Sequence, residues 1–293
     1  MPSLKDIRIR INSVKTTRQV TSAMKMVSAA KFKKAQDDIS HIRPFVDRLA
    51  GIIYKLSGAL EDNFEVIWSK VRPPHNILIV PIASNRGLCG AFNTNVIKEV
   101  ERLCKVNFRA QNTLGKVDIL AIGKQVQKVL KQRGYRVIQD HNEVYTHLNF
   151  DKVIDIASEL MNAFATEKYD RIVLVYNEYK NAAVQIMRSE QFLPMELPNA
   201  EEAQILSSDY IIEPDVPTFI KRVIPDALKT MFYRVILESL ASEHGARMTS
   251  MHKATDNATE MLGELQLQYN KARQGAITTE ILEIVGGAEA LKK

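Results

Sequence analysis

The chain has 293 residues, 45% of them hydrophobic and 25% charged, which is ordinary for a globular protein and argues against disorder. No apolar run approaches the ~18 to 20 residues of a membrane span, and the first residues lack the apolar core of a secretory signal, so we expect a cytosolic chain. The formal net charge is +6, yet residues 1–36 carry nine Lys or Arg and a single acid, Asp6. The N-terminal segment is therefore strongly basic, and the remainder is slightly acidic.

A long helix is predicted at the N-terminus. Ser3 and Asp6 have the spacing of a capping box, and no proline follows until Pro44. Apolar residues recur at intervals of three and four, as in a helix that packs along one stripe: Leu4, Ile7, Ile11, Val14, Phe32, Ala35, Ile39 and Ile42. The middle of this row is polar, at Arg18, Thr21, Lys25 and Ser28. An offset row of Val20, Met24 and Val27 leaves two hypotheses open: the contact face rotates here, or another protein covers it.

Strand-like and helix-like segments alternate after Pro73 and Pro74, which predicts βαβ units and a parallel sheet. The β-branched apolar run 76–83 is typical of a central strand that is buried on both faces. The other predicted elements are a helix from Asn93 or Thr94 to about Phe108, a strand at 116–123, a helix at 124–133, a strand at 135–139 and a helix at 151–166.

Two further strands are predicted at 171–179 and 182–193. Only Lys180 and Asn181 separate them, and so short a link requires an antiparallel hairpin. The stretch 194–217 is rich in proline and acids, which indicates a surface connection with one possible short strand at 210–212.

The last part of the chain predicts a second long helix, beginning between Thr218 and Asp226. No proline occurs after residue 225, and at ~1.5 Å per residue this helix is roughly 100 Å long. A coiled-coil spacing runs through Ala241, His244, Met248, Met251, Thr255, Ala258, Leu262, Leu265, Tyr269, Ala272 and Ala276. A lone helix cannot bury such a stripe, so the two terminal helices are expected to pair antiparallel.

The predicted fold class is α/β. A long antiparallel two-helix coiled coil is formed by the N- and C-terminal segments, and a Rossmann-like α/β domain with a mostly parallel sheet and an antiparallel hairpin is inserted between them. The corresponding domains are 1–60, 74–213 and 218–293.

No motif in the chain predicts catalysis, a cofactor or a metal site. The glycine loop 84–93 lies between a strand and a helix, but the chain contains neither GxxxxGK[ST] nor GxGxxG, so a structural turn is the favoured interpretation. The six histidines form no HxH or HExxH pattern, and His244 on the seam is interpreted as a packed core residue. Cys89 and Cys104 are expected to be inert thiols.

The basic stretch 15–34 leaves several interpretations open. It is a solvated helix face, a surface for acidic partner segments, or a nucleic-acid contact. Because Phe32 is its only aromatic residue, nucleic-acid binding is disfavoured. A coiled-coil scaffold or nucleic-acid-binding protein is the alternative function, and it predicts salt-sensitive binding of DNA or RNA by the isolated chain.

Four segments closely resemble the gamma subunit of F-type ATP synthases of the bacterial type. They are MPSLKDIRIRI at the N-terminus, TSAMKMVSAAK at 21–31, SNRGLCGAFN at 84–93, and 254–291 near the C-terminus. The last segment carries the family spacing IT-x-E-x-x-E-x-x-x-GA at Ile277, Thr278, Glu280, Glu283, Gly287 and Ala288.

The resemblance implies a central-stalk rotor that catalyses nothing itself, binds no cofactor or small-molecule substrate, and couples proton flow to ATP synthesis or hydrolysis. Implied partners are three alpha and three beta subunits, the epsilon and delta subunits, and the membrane c-ring, with no nucleic acid. The implied location is peripheral, on the cytoplasmic side of the bacterial inner membrane. Positions that match family contacts with the catalytic ring are Met24, Lys25, Arg247, Arg273, Gln274, Thr278, Glu280 and Glu283. Those that match the foot, where the epsilon subunit and the c-ring bind, are Tyr210, Ile211, Ile212 and Glu213.

Overall fold

The structure is a computed structural model that describes residues 3–57, 67–145, 148–195 and 216–290. Its helices are α1 (Leu4–Ser57), α2 (Phe92–Arg102), α3 (Arg109–Thr113), α4 (Lys124–Gln132), α5 (Phe150–Ala165) and α6 (Val216–Ala290). Its strands are β1 (Ile77–Pro81), β2 (Val117–Ala121), β3 (Val137–Asp140), β4 (Arg171–Tyr179) and β5 (Gln185–Leu193). Within these residues, the predicted order of helices and strands is confirmed.

The five strands form one sheet in the order β3-β2-β1-β4-β5. β1 pairs in parallel with both β2 and β4, β2 pairs in parallel with β3, and β5 is antiparallel to β4. Each parallel connection passes through a helix, as βαβ units require. The mostly parallel sheet with one antiparallel hairpin is therefore confirmed.

The alternation of side chains along β1 divides the core between the two faces of the sheet. Ile77 and Ile79 pack on one face with α2 and α4. Leu78 and Val80 pack on the other face with α5 and with a stretch of α6 that includes Phe232. Every residue of β1 is buried, which explains why its sequence is apolar without alternation.

Three predicted boundaries were wrong. The helix predicted to begin between Thr218 and Asp226 begins earlier, at Val216. Pro217 does not prevent this start, because the N–H groups of the first turn have no helical partner in any case. β5 begins at Gln185 and not at Ala182, because Asn181 Oδ1 accepts the backbone N–H groups of Ala183 and Val184 and closes a turn.

The third boundary lies after β1, where one helix was predicted as far as Phe108. The helix instead passes into a π-helical turn, Leu103–Asn107, in which the Phe108 N–H donates to Leu103 O at 2.8 Å. α3 then begins at Arg109.

The chain divides into two compact units. One consists of Met1–Ser28 with Met248–Lys293, and the other of Ala29–Arg247. Within the second unit, α1 and α6 run antiparallel: Arg43 Nε lies 3.1 Å from Glu238 Oε1, and Arg234 Nη1 lies 3.7 Å from Asp47 Oδ1 further along. The predicted antiparallel pairing of the terminal helices is thus confirmed, while the three-part domain division stays a prediction.

Candidate functional site

In the unit formed by the two chain ends, α1 and α6 pack along the predicted seam. On α1 the buried residues are Ile7, Thr21 and Ser28, and the other seam positions, including Lys25, are half-buried. On α6 the buried residues are Met251, Ala258 and Leu265, again on the predicted row. The seam is therefore confirmed through Ala272, the last half-buried position.

The polar middle of the seam is part of the contact between the helices. The hydroxyl of Thr255 donates to that of Thr21, with an oxygen-to-oxygen distance of 2.9 Å. The offset apolar row does not replace the seam, since Val20 and Val27 are 52% and 58% exposed. The hypothesis that the contact face rotates is therefore wrong, and these valines remain on the surface.

The α6 seam ends earlier than predicted. Ala276 was expected to continue it, but every described side chain from Arg273 to Ala288 is exposed. The physical reason is the length of the partner, because α1 begins at Leu4 and the described chain offers no further helix to pack against Ala276. Beyond Ala272, the outer end of α6 (residues 273–288) has no partner among the described residues.

Five of the predicted ring-contact residues lie on this outer end. All of them are exposed, as is every other described side chain of the outer end: Arg273, Gln274, Thr278, Glu280 and Glu283. Thr278 also donates its hydroxyl to the backbone carbonyl of Gln274 at 2.9 Å, a bond within the helix.

The outer end also exposes a group of large apolar residues that sequence reasoning did not select. They are Ile277, Ile281, Leu282, Ile284 and Val285. The sequence signal that could have found them is the high density of apolar residues after the last seam residue. Apolar residues that continue past the end of the partner helix are not covered by their own chain. The outer end therefore combines an apolar surface with directional polar groups.

Met24 and Lys25 lie side by side on α1 and are both half-buried. Lys25 occupies a seam position and Met24 belongs to the offset row. Their partial exposure leaves part of each side chain accessible to another subunit.

Arg247 lies in a different environment from the other predicted contacts. Only 7% of the surface of this residue is exposed. Nη1 lies 2.7 Å from Glu243 Oε1, and Nη2 donates to Arg86 O at 3.1 Å and to Gly87 O at 3.4 Å. The structure thus separates Arg247 from the exposed polar residues and places it against the loop that follows β1.

Burial sets the protonation of the groups beside Arg247. Burial raises the pKa of the Glu243 carboxyl above its ordinary value, and the guanidinium of Arg247 opposes this shift. Burial lowers the pKa of His244 to about 4, with a further contribution from the positive charge of Arg247. His244 is therefore neutral at pH 7, in agreement with its interpretation as a packed residue.

The loop 84–91 is organised by its own polar groups. Asn93 Oδ1 accepts the Ser84 N–H at 3.0 Å and the Ser84 hydroxyl at 2.9 Å, and the Asn93 amide donates to Cys89 Sγ at 3.2 Å. Burial raises the pKa of the Cys89 thiol, so the reactive thiolate is disfavoured. These contacts support the interpretation of this loop as a structural turn.

The foot residues Tyr210, Ile211, Ile212 and Glu213 lie outside the described residues. The short strand predicted at 210–212 lies outside them as well.

Comparison with known proteins identifies the family. A family model described as ATP synthase matches residues 3–291. The ATP synthase gamma chain of Flavobacterium psychrophilum is 52% identical over 293 residues and covers 100% of both chains. The chain belongs to the ATP synthase gamma family. The gamma chain of Christiangramia forsetii is 50% identical over 291 residues, or 99% of each chain.

Solved structures of distant proteins share the fold of this gamma-family chain. A chain from the rotor of Euglena gracilis mitochondrial ATP synthase aligns with a TM-score of 0.64 at 21% identity, covering 94% of this chain and 98% of that one. A chain from the central stalk and c-ring of Tetrahymena thermophila mitochondrial ATP synthase gives a TM-score of 0.57 at 24% identity, covering 80% and 99%. At these identities the likeness concerns the fold.

Proposed function

We propose that this chain is the central-stalk subunit of an F-type ATP synthase and carries no catalytic site of its own. Its paired terminal helices turn inside a ring of three alpha and three beta subunits, and the rotation couples proton flow through the membrane sector to ATP synthesis or hydrolysis. The observation that carries this proposal is the likeness over the full length to gamma chains that are about half identical.

The physical basis of coupling is the asymmetry of the helix pair. Two helices have no threefold symmetry, so three chemically identical catalytic subunits contact three different faces of the pair. Differences in contact free energy favour a different conformation of each subunit, and rotation exchanges those conformations. The faces differ here in kind, because Val20 and Val27 form an apolar surface on α1 while basic residues such as Lys5, Arg8 and Lys15 are exposed elsewhere on it.

The outer end of α6 supplies two kinds of contact with the ring. Its exposed isoleucine, leucine and valine side chains suit an apolar surround, and hydrophobic contact is non-directional, so it resists turning little. Arg273 and Gln274 instead offer directional hydrogen bonds, and an Arg guanidinium pairs strongly with carboxylates. We assign the apolar residues to axial support, and Arg273 and Gln274 to contacts that change with rotation.

Met24, Lys25, Thr278, Glu280 and Glu283 complete the proposed ring contacts. The foot contacts at Tyr210 to Glu213 are proposed for the epsilon subunit and the c-ring. Among the described residues, no helix has the length and apolar character needed to cross a membrane. We propose that the chain is a peripheral part of the complex on the cytoplasmic side of the bacterial inner membrane.

The proposal is tested by purification and by substitution. A tagged chain expressed in its source should co-purify with alpha and beta subunits, and isolation without an ATPase would contradict the proposal. In the assembled complex, Arg273→Ala with Gln274→Ala should lower coupled ATP turnover about tenfold, since a few anchoring contacts dominate most interfaces.

The matched control for this pair is Lys128→Ala with Lys131→Ala, which removes exposed side chains from α4. We expect both pairs to leave the unfolding temperature of the isolated chain unchanged, and only the first pair to change turnover. Equal turnover in the two variants would remove Arg273 and Gln274 from the contact set.

A further inference from the structure

A cleft of about 870 Å³ lies between α1 and α6, within the compact unit Ala29–Arg247. α1 lines it from Lys31 to Phe45 and α6 lines it from Tyr233 to His244. Its volume is within the range of small-molecule sites, roughly 300 to 1,000 Å³. No residue proposed above as a ring or foot contact lines this cleft.

The antiparallel course of the two helices gives the cleft two different ends. At one end, Lys31 of α1 lies close enough to His244 of α6 for its charge to contribute to lowering the pKa of that histidine. Phe45 and Tyr233 lie towards the other end. At a helical rise of ~1.5 Å per residue, the segment of α1 from Lys31 to Phe45 is about 20 Å long. The cleft is therefore elongated.

His244 offers a hydrogen-bond donor at the first end. Its surface is only 9% exposed, and at pH 7 the ring is neutral because burial lowers its pKa to about 4. Arg247 Nη1 lies 3.4 Å from His244 Nδ1, and because a guanidinium has donors only, Nδ1 must be the acceptor. The proton of the neutral ring is therefore on Nε2. This N–H has no hydrogen-bond partner among the described residues.

Lys31 and Lys34 add positive charge at the same end. Both are exposed, and neither has an acid within ion-pair distance in the described part of the chain. Glu243, which senses the charge of Lys31, is already paired with Arg247 at 2.7 Å. Asp38 is the only acid among the described residues that line the cleft. With neutral histidines, the two ammonium groups outweigh it and the lining is net positive.

The floor of the cleft between its two ends is apolar. Ala35 and Leu237 are buried there, and the half-buried Ile42 and Leu240 lie beside them. Apolar surface gains free energy when a hydrocarbon covers it. An elongated apolar floor with cations and an N–H donor at one end is complementary to a long hydrocarbon chain that ends in a single carboxylate.

We propose that this cleft binds the carboxylate form of a long-chain fatty acid. The carboxylate accepts the Nε2–H of His244 and lies beside the ammonium groups of Lys31 and Lys34, where charge-assisted hydrogen bonds are strong. The hydrocarbon chain covers the apolar floor and extends towards Phe45 and Tyr233. This binding is a property of the folded chain and does not depend on the proposed rotor function.

The low exposure of His244 favours a fatty acid over an acidic helix of another protein. A carboxylate at the end of a thin, flexible chain can enter the cleft and reach the buried donor. A carboxylate on a helix is attached to a body about 10 Å across, which would rest on the rim of the cleft.

The binding is measured by titration calorimetry of the isolated full chain with dodecanoate, below its micelle concentration. We expect saturable binding of one molecule per chain. Dodecanol lacks the carboxylate and should bind about tenfold more weakly. Hexanoate buries fewer CH₂ groups and should bind about a hundredfold more weakly. Equal affinity for dodecanol, equal affinity for hexanoate, or uptake that does not saturate would overturn the proposal.

The recognition of the carboxylate is tested by substitution. Lys31→Gln with Lys34→Gln should weaken dodecanoate binding about tenfold, and so should His244→Phe, which removes the donor with little change in volume. The matched control, Lys128→Gln with Lys131→Gln, removes the same charge from exposed positions on α4 and should change affinity less than about twofold. Equal affinities in the two lysine variants would contradict the site. Because Lys31 and Lys34 are exposed, that comparison holds even if His244→Phe fails to fold.

Two other occupants of the cleft predict different results. Binding of the chain to phosphatidylglycerol vesicles, without binding of dissolved dodecanoate, would assign Lys31 and Lys34 to a membrane surface. Protection of these lysines from acetylation in the assembled complex, again without binding of dodecanoate by the isolated chain, would assign the cleft to a helix of another subunit. Either result would reject the fatty-acid site, and neither bears on the Arg273 and Gln274 test of the proposed function.

Discussion

Two stretches of the same helix differ completely in what surrounds them. Residues 241–247 of α6 are all buried, and residues 273–288 are all exposed. The buried stretch uses its polar groups internally, as in the pair formed by Glu243 and Arg247. The exposed stretch leaves both apolar and polar groups to the outside. The comparison teaches that one continuous helix provides both a buried structural segment and a segment that its own chain leaves uncovered, which we propose to be the contact with the ring.

The largest expected effect is at the part of α6 that packs on the sheet. Phe232 is fully buried, with its ring centroid 5.7 Å from that of Phe192. Phe232→Ala should lower the free energy of unfolding by about 3 to 5 kcal/mol, because it leaves a cavity in the core. Denaturant unfolding of the isolated chain measures this. Leu282→Ala on the outer end should cost about 0.5 kcal/mol or less, because that residue is exposed. An equally small loss for Phe232→Ala would contradict the difference between the two stretches.

The second expected effect is the pH dependence caused by His244, which is buried beside the positive charges of Arg247 and Lys31. Since burial lowers its pKa from 6.5 to about 4, its contribution to stability is present above pH 6.5 and is lost as the pH falls towards 4. Between pH 7 and 4 the wild-type chain should therefore lose about 3 kcal/mol more than His244→Gln. Parallel curves of unfolding free energy against pH for the two chains would contradict the burial of His244.

A smaller effect is expected on the outer end of α6, and it should appear only in the complex. Ile281→Asp with Leu282→Asp should leave the unfolding free energy of the isolated chain within about 0.5 kcal/mol, since both residues are exposed. In the assembled complex we expect coupled turnover to fall about two- to fivefold, because charges would enter an apolar contact. Unchanged turnover would show that these side chains do not face the ring.

The smallest effect is expected at the polar middle of the seam. Thr21→Val with Thr255→Val replaces both members of a hydrogen bond by apolar groups of the same shape, which should change stability by less than about 0.5 kcal/mol. Thr21→Val alone leaves the Thr255 hydroxyl without that acceptor and should cost more than the pair. Thermal unfolding of the three variants tests this order, and a pair costlier than the single change would contradict it.

Most of the fold was predictable because it depends on local periodicity. The run 76–83 indicated the central strand. The three-four spacing indicated the seam, including Lys25, which is half-buried. The end of the seam was not predictable from α6 alone, because burial of Ala276 depends on where its partner helix begins. The turn made by the Asn181 side chain and the π-helical turn at Leu103–Asn107 depend on individual hydrogen bonds that periodicity does not encode.

The candidate site was predictable only in part, for the same reason. Arg273 and Gln274 lie off the predicted seam, but their exposure also reflects the end of the partner helix, since the seam residue Ala276 is exposed as well. Burial of Arg247 depends on a loop 160 residues away in sequence. The resemblance to the gamma family supplied these positions without saying how each side chain is used. Only the contacts in the structure distinguish the exposed candidates from Arg247, which is buried against the loop after β1.

The most direct test of a turning helix pair is a reversible cross-link to the ring. Leu267 on α6 is 73% exposed and lies two residues after the buried seam residue Leu265. At this position α6 is therefore still packed against α1. In Leu267→Cys the native Cys89 and Cys104 are buried, and a cleavable thiol-directed cross-linker should react at position 267. We predict that cross-linking the assembled complex joins this chain to an alpha or beta subunit and abolishes ATP turnover, which cleavage of the linker restores. Undiminished turnover in the cross-linked complex would contradict the account.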